Sequence, residues 1–242
     1  MEFTVKIADV NIKVTSIYDE VFKLCKSYVT LQKPDFCVVT TKEDIAFERE
    51  KAKREAAQEG REYRDFTDSY LETLAVYRKI ATGLLNYNAF LMHGAVVGLC
   101  GKAYMFTAPS GTGKTTHTGF WLKQFPDAFI VNGDKPILRF ENGEVYACGT
   151  PWAGKEGRNT NIILPLEAIC ILSRGEENEI NKAEFKDVYP TVIRQAYRPA
   201  TESGMTKTLE LLKMLGEGVK FYTLKCNLDP NAANVAFEGM NK

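Results

Sequence analysis

The stretch HGAVVGLCGKAYMFTAPSGTGKTT, residues 93–116, decides how the rest of the chain is read. Its end, Ala108-Pro109-Ser110-Gly111-Thr112-Gly113-Lys114-Thr115, has the spacing of a P-loop, with alanine at the first glycine position, where only a small residue is required. A turn of small residues lets successive backbone N–H groups point inward at one phosphate, and a helix starting there adds its positive end. Lys114 then reaches the outer phosphates, and the Thr115 hydroxyl is placed to ligate Mg²⁺. The candidate nucleotide-binding residues are therefore Pro109, Ser110, Gly111, Thr112, Gly113, Lys114, Thr115 and Thr116. Ala103 to Thr107 reads as the strand before the loop, and Thr116 to Phe125 as the helix after it, closed by Pro126. The competing reading is a glycine-rich turn that binds nothing.

Working outward, Phe90 to Leu99 and Ala103 to Thr107 are two apolar runs joined only by Cys100-Gly101-Lys102. That is too short for the crossover between parallel neighbours, so the pair must be antiparallel. Beyond the helix, Ala128 to Val131 reads as a strand. Ile137 to Phe140 and Val145 to Cys148 form a hairpin hinged on Glu141-Asn142-Gly143-Glu144. Hairpins on both sides of the loop predict an α/β core with a mixed, partly antiparallel sheet rather than a strand-helix alternation. Further on, Ala168 to Leu172 reads as a strand and Arg174 to Asn181 as a polar loop. Pro190 is expected in the first turn of a helix, Lys207 to Leu215 is a helix stopped by Gly216, Val219 to Cys226 is a strand, and Asp229-Pro230 opens the last helix.

Upstream, Phe3-Val5-Ile7 and Val10-Ile12-Val14 alternate as a hairpin, Tyr18 to Tyr28 suits a short helix, and Phe36 to Thr40 a strand. Thr40 with Glu43 and Ser69 with Glu72 have the form of capping boxes. They predict a charged helix from Thr41 to about Gln58 and an amphipathic one through Leu85, with polar residues 60–68 between them. The first helix's charges read as a solvated face. The domain boundary is placed at 89/90: an N-terminal α+β module over 1–89, and the loop-bearing core over 90–242.

Composition narrows the classes. The 242 residues are 45% apolar, and 31 basic residues balance 31 acidic ones, leaving no net field to recruit nucleic acid or anionic membrane. Residues 1–20 carry charges throughout, which reads as neither a signal peptide nor a spanning helix, and the expectation is a cytoplasmic protein. Six cysteines lack metal-ligand spacing and read as small core residues. Only His93 and His117 are present, which excludes a histidine-rich zinc site.

Taken together, His93-Gly94, the hairpin into Ser110 to Thr115, and the acid Asp134 after the next strand resemble the HPr kinase and phosphoenolpyruvate carboxykinase type of P-loop protein, in particular the small bacterial HPr-kinase-like family. The specific motifs cover about residues 90–175. The resemblance implies a mixed-sheet core that binds ATP with Mg²⁺ and moves a phosphoryl group. It makes Asp134 the metal ligand, with Thr115, or the base that accepts a hydroxyl proton, and His93 a residue near the reacting phosphate. Left to themselves, Asn132-Gly133-Asp134 is equally good turn composition, and a histidine in an apolar run is a core residue. His117 is left to surface or packing.

In Gly149 to Asn159, the cations Lys155 and Arg158 either reach the transferring phosphoryl group or are solvated on a structural loop. Arg194, Gln195 and Arg198 are weaker candidates for contact with a substrate anion. Two departures count against the family's best-known substrates. Gly133-Asp134 stands where HPr kinases carry two adjacent acids, and their basic, proline-rich C-terminal loop is not recognisable, which argues against HPr as acceptor. The extra lobe and second metal site of the carboxykinases are not recognisable either. The expectation is a kinase acting on a hydroxyl, serine foremost, of a protein, peptide or small molecule, its N-terminal module helping to select that acceptor. A nucleotide-binding scaffold is the second hypothesis and a carboxykinase the third; a homo-oligomer stays open.

Overall fold

A computed structural model describes residues 1–241. The chain divides into two compact units, Met1–Leu84 and Leu85–Lys242. Among the described residues no helix is long and apolar enough to cross a membrane.

In the first unit, strands β1 (Glu2–Ile7) and β2 (Val10–Thr15) form the antiparallel hairpin, turned on Ala8 and Asp9, both at positive φ. Helix α1 (Glu20–Cys25) follows, then β3 (Phe36–Val39), parallel to β2. Helices α2 (Lys42–Gln58) and α3 (Asp68–Leu84) complete the unit and pack on each other. Val5, Ile7, Val10, Ile12 and Val14 are buried, as alternation in a half-buried sheet requires.

Both capping boxes differ from expectation, and one residue explains both. Glu72 is buried within α3, where its carboxylate accepts the Ile17 N–H at 2.6 Å, the Tyr18 N–H at 2.8 Å and the Thr40 hydroxyl. Committed there, it caps nothing, and the first turn of α3 is tied instead by the Tyr70 N–H to Thr67 Oγ1. With Thr40 occupied, the box at α2 moves one residue on, to Thr41 and Asp44. Nor is α2 wholly solvated: buried Glu48 pairs with Arg78 Nε at 2.6 Å.

The second unit is built on one curled, mixed sheet. Its strands are β4 (Ala89–Leu91), β5 (Ala95–Leu99), β6 (Lys102–Thr107), β7 (Phe129–Asn132), β8 (Ile137–Glu141), β9 (Glu144–Cys148), β10 (Ile163–Arg174), β11 (Glu179–Ala183) and β12 (Lys220–Cys226). The order is β4-β8-β9-β10-β6-β5-β7, with β12 joining β10 and β11 joining β12. Strand β10 pairs antiparallel with β9 through Ile163 to Pro165, then runs parallel to both β6 and β12. Since β5 is antiparallel to both β6 and β7, the C-terminal ends of β6, β7, β10 and β12 share one edge.

Two helical layers cover this sheet. Helices α4 (Lys114–Gln124) and α7 (Ala232–Met240) pack Trp121, Ala233 and Ala236 against Val97, Phe106 and Cys170. Helices α5 (Phe185–Gln195) and α6 (Glu202–Gly218) pack Val192, Leu211 and Leu215 against the alternate residues Val96, Met105 and Ile169.

Several sequence expectations are corrected in this unit. The apolar run 90–99 is two strands, because β4 pairs with β8 while β5 pairs with β6, and Met92 to Gly94 lie between them. The presumed loop 174–181 holds the start of β11, an edge strand whose Ile180 and Ala183 are half-buried against the core while Glu179, Asn181 and Lys182 are exposed, too little apolar alternation to announce it. Pro190 lies inside α5, which begins at Phe185. Gly216 does not stop α6, which runs to Gly218; a side chain there would overlap the Phe185 ring. The last helix starts at Ala232, the Asp229 carboxylate accepting the Asn231 N–H at 2.9 Å just before it. Of the six free cysteines, Cys25, Cys148 and Cys170 are buried, but Cys37 and Cys100 are exposed. Burial pushes the Cys25 thiol up to about 12.

Candidate functional site

The shared edge carries a cleft of about 520 Å³ between the loop after β6 and the turn after β7. On one side, Gly111 and Gly113 take φ of 76° and 122°, backbone that a side chain would strain. They bend the chain so that α4 begins at Lys114 directly behind Gly113. The Pro109 carbonyl accepts the Thr112 N–H at 3.3 Å and the Thr112 hydroxyl at 2.9 Å, and Arg174 Nη2 at the end of β10 donates to the Gly111 carbonyl at 2.8 Å. Lys114 is 9% exposed and rests Nζ on the Ala108 carbonyl at 2.9 Å. Burial pulls this ammonium below the ordinary lysine value, with Asp134 opposing and Lys135 adding. The Thr115 side chain is exposed and lines the same cleft.

Asp134 faces this loop, and its placement is the work of buried Asn132. The Asn132 Oδ1 accepts the N–H groups of Asp134 at 2.9 Å and Lys135 at 2.6 Å, while its Nδ2 donates to the Thr150 carbonyl at 3.0 Å. The Asp134 carbonyl accepts the Gly94 N–H at 3.0 Å, which fixes the turn from the other side. His93, in the break between β4 and β5, is held just as firmly. Its N–H donates to the Gln195 carbonyl at 2.7 Å, and its own carbonyl accepts the Thr107 hydroxyl at 2.8 Å. The ring Nε2 lies 2.9 Å from Asp134 Oδ1, and Nδ1 lies 2.7 Å from the Gln195 amide. Burial raises the Asp134 carboxyl, but the His93 hydrogen bond and the charges of Lys135, His93 and Lys114 outweigh it and hold the group below the usual aspartate value. The atom of Gln195 that faces Nδ1 is its amide oxygen, which accepts, so Nδ1 is satisfied as a donor.

The third wall is the segment Ala153 to Arg158. It is stitched to the end of β7 by the Gly133 N–H on the Arg158 carbonyl at 3.0 Å and by the Thr150 hydroxyl on the Lys135 carbonyl at 2.7 Å. Gly154, at φ 73°, takes backbone that a side chain would strain, and a Cβ there would press on Asp134, whose own Cβ lies 3.0 Å from where it would sit. Lys155 and Arg158 are exposed and line the cleft, and Arg158 Nε pairs with Glu156 at 3.1 Å.

The structure thus brings His93, Ser110, Gly111, Gly113, Lys114, Thr115, Thr116, Asp134, Lys155 and Arg158 to one cleft. Pro109 and Thr112 shape the loop and are not among that cleft's walls. Sequence reasoning missed Asn132 and Thr150 as residues that build the site, and it placed Gln195 on a substrate anion rather than on His93. The turn composition Asn132-Gly133-Asp134 was the one available signal for the first. His117 is a packing residue here, 2% exposed, with its Nε2 accepting Trp121 Nε1–H at 3.1 Å.

Thr115 beside the loop and Asp134 facing it are hard oxygen donors among the residues that line the cleft, which suits Mg²⁺ better than a softer metal. Among the described residues no group of three or more His, Cys, Asp or Glu side chains is placed to hold a metal.

The sequence matches no family model and no curated protein. Among solved structures the chain matches the Hpr(Ser) kinase/phosphatase from Coxiella burnetii over 61% of this chain and 94% of that one, at 10% identity and a TM-score of 0.39.

Proposed function

We propose that this protein is a Mg²⁺-dependent phosphotransferase that uses ATP to phosphorylate a hydroxyl group. The observation that carries the reading is the one cleft, lined by the Lys114 loop, by Asp134 with His93, and by the cations Lys155 and Arg158. The outer phosphates lie on the N–H groups around Gly111 to Lys114, at the N-terminus of α4. A phosphate oxygen is a stronger acceptor for Lys114 Nζ than the Ala108 carbonyl it now holds.

Thr115 and Asp134 would hold Mg²⁺, and the ion would offset the charge of the leaving nucleoside diphosphate. The acceptor oxygen bonds to the terminal phosphorus while the bridging P–O bond to the β-phosphate breaks and the nucleoside diphosphate leaves. The acceptor's proton passes to the Asp134 and His93 pair, whose Nε2 and Oδ1 lie 2.9 Å apart. Lys155 and Arg158, on the exposed wall, stabilise charge on the transferring group. The acceptor is a serine-type hydroxyl of a protein, peptide or small molecule.

The test is transfer of labelled terminal phosphate from ATP into the components of a cell lysate. Lys114→Met and Asp134→Asn should each reduce transfer by at least about a hundredfold with the circular dichroism unchanged. Retained transfer in either variant counts against the mechanism. One observation favours a second reading, a nucleotide-binding scaffold: Asp134 is already engaged by His93, with Lys135 Nζ 3.8 Å away. Tight Mg-ATP binding without transfer to any lysate component would select it.

A further inference from the structure

Small residues that let a loop close on a phosphate also leave it little to pack with. Pro109, Ser110 and Gly111 are exposed, and a Cβ built on Gly111 or Gly113 would meet no atom within 4 Å. Burial therefore does not set the shape of the loop's apex, and hydrogen bonds to its peptide groups must. The carbonyls of Ala108, Pro109 and Gly113 are held from within the loop and α4, by Lys114 Nζ, by Thr112 and by the His117 N–H at 2.9 Å. The Gly111 carbonyl is held from outside, by Arg174, 63 residues away at the tip of β10.

One peptide group is decisive. The Gly111 carbonyl and the Thr112 N–H share a plane, and both ends of it are tied. The oxygen accepts Arg174 Nη2 at 2.8 Å, and the N–H donates to the Pro109 carbonyl at 3.3 Å. The bond inside the loop is the longer of the two, and glycine on one side leaves the plane free to turn. Turned over, it would put a carbonyl oxygen where the turn now has an N–H, and the run of convergent donors that an anion needs would be broken.

Arg174 acts on this plane from behind. It is not among the walls of the cleft that holds Asp134 and lines instead a second cleft, of about 530 Å³, beside the same loop. The sheet aims it there: β10 runs parallel to β6, the strand leading into the loop, with Ile171 beside Thr107, and Arg174 is the next step along, paired with Cys226 of β12. A guanidinium stays charged and offers a flat fork of donors, so its bond to Gly111 is charge-assisted.

We infer that Arg174 is a positioning residue of the phosphate site: it holds the Gly111–Thr112 peptide in place before any nucleotide arrives and so raises the affinity of the loop for phosphate. The inference rests on the phosphate reading of the loop. A loop already ordered loses little conformational freedom when the ligand binds, and the affinity is higher for it.

Amide hydrogen exchange of the ligand-free protein, read at Thr112 by NMR, and calorimetry with Mg-tripolyphosphate test it on the wild type, Arg174→Met and Arg174→Lys. In Arg174→Met the Thr112 amide should exchange at least about tenfold faster, and Mg-tripolyphosphate should bind at least about tenfold more weakly. Arg174→Lys, which keeps a charged donor, should restore most of both losses. Arg174 is exposed, so both variants should melt close to the wild type. Weakened binding with unchanged exchange would mean that the arginine acts through its charge alone, and would overturn the positioning role. Undiminished binding in Arg174→Met would overturn the inference and leave the loop reading standing. No uptake of Mg-tripolyphosphate by the wild type would overturn both.

Discussion

Asn132 is not among the residues that line the cleft, yet it decides where Asp134 stands. Its Oδ1 holds two successive N–H groups and its Nδ2 holds the chain at Thr150, so one buried amide joins the turn to the facing wall. Replacing it by alanine leaves those donors and acceptors unmade and frees Asp134 to shift. Asn132→Ala is therefore expected to lower kcat by roughly a hundredfold with little change in the KM for nucleotide, as steady-state kinetics would show. The sequence offered two readings of Asn132-Gly133-Asp134, turn or acid site. The geometry makes it a side-chain-stabilised turn that presents an acid, and that combination needs tertiary partners to be seen. The residues of the loop itself were legible because the backbone demands them locally. Gln195 was not, since it lies 102 residues from the ring it holds.

His117 makes a second prediction at this scale. The ordinary histidine value is 6.5 and burial lowers it to about 4 in the folded chain. The unfolded chain thus binds the proton more readily between those values, and stability must rise with pH across that window. The contribution is complete above about pH 6.5, and roughly 3 kcal/mol of it is lost by pH 4. Urea unfolding at pH 4.5 and pH 7 should show a smaller difference in His117→Phe than in the wild type by most of that amount.

Among the elements, α6 shows how packing overrides local preference. Gly216 reads as a stop, and on propensity alone alanine there would stabilise a helix by about 1 kcal/mol. The Phe185 ring occupies the place of the missing side chain, so the overlap outweighs the propensity gain. Gly216→Ala should destabilise the unit Leu85–Lys242 by roughly 1–3 kcal/mol, read as a lower urea midpoint. In the first unit, Glu72→Ala strips the partner from two backbone N–H groups and the Thr40 hydroxyl at once. It should cost roughly 3 kcal/mol, although a capping-box reading would predict under half of that. Helix and hairpin positions were largely legible because their periodicity is local. The boundaries that moved, at α2, α5, α6 and α7, moved where a distant side chain or a longer hydrogen-bonded turn took over. Strand β11 escaped notice because only Ile180 and Ala183 of its five residues face the core, too few to make a period-two pattern.

For the molecule as a whole, the hairpins flanking the loop were enough to foresee a mixed sheet, whereas the pairing of β10 with three different strands was not foreseeable from a short apolar run. If the loop and its cleft hold a nucleotide, saturation must stabilise the folded state by linkage. Mg-ATP at a hundred times its dissociation constant should add about 2.7 kcal/mol to the unit Leu85–Lys242, visible as a raised melting temperature that Lys114→Met abolishes.

Strand β10 carries one further consequence. Its early residues answer to β9, its later ones to β6 and β12, Ile169 and Cys170 look into opposite helical layers, and Arg174 at its tip reaches the loop. Deleting or inserting a single codon in its middle would invert every inward and outward side chain beyond that point and draw the arginine off its mark. This strand should accept conservative exchanges at most positions but no change of length, a difference that a scan of single-residue deletions beside point variants would expose.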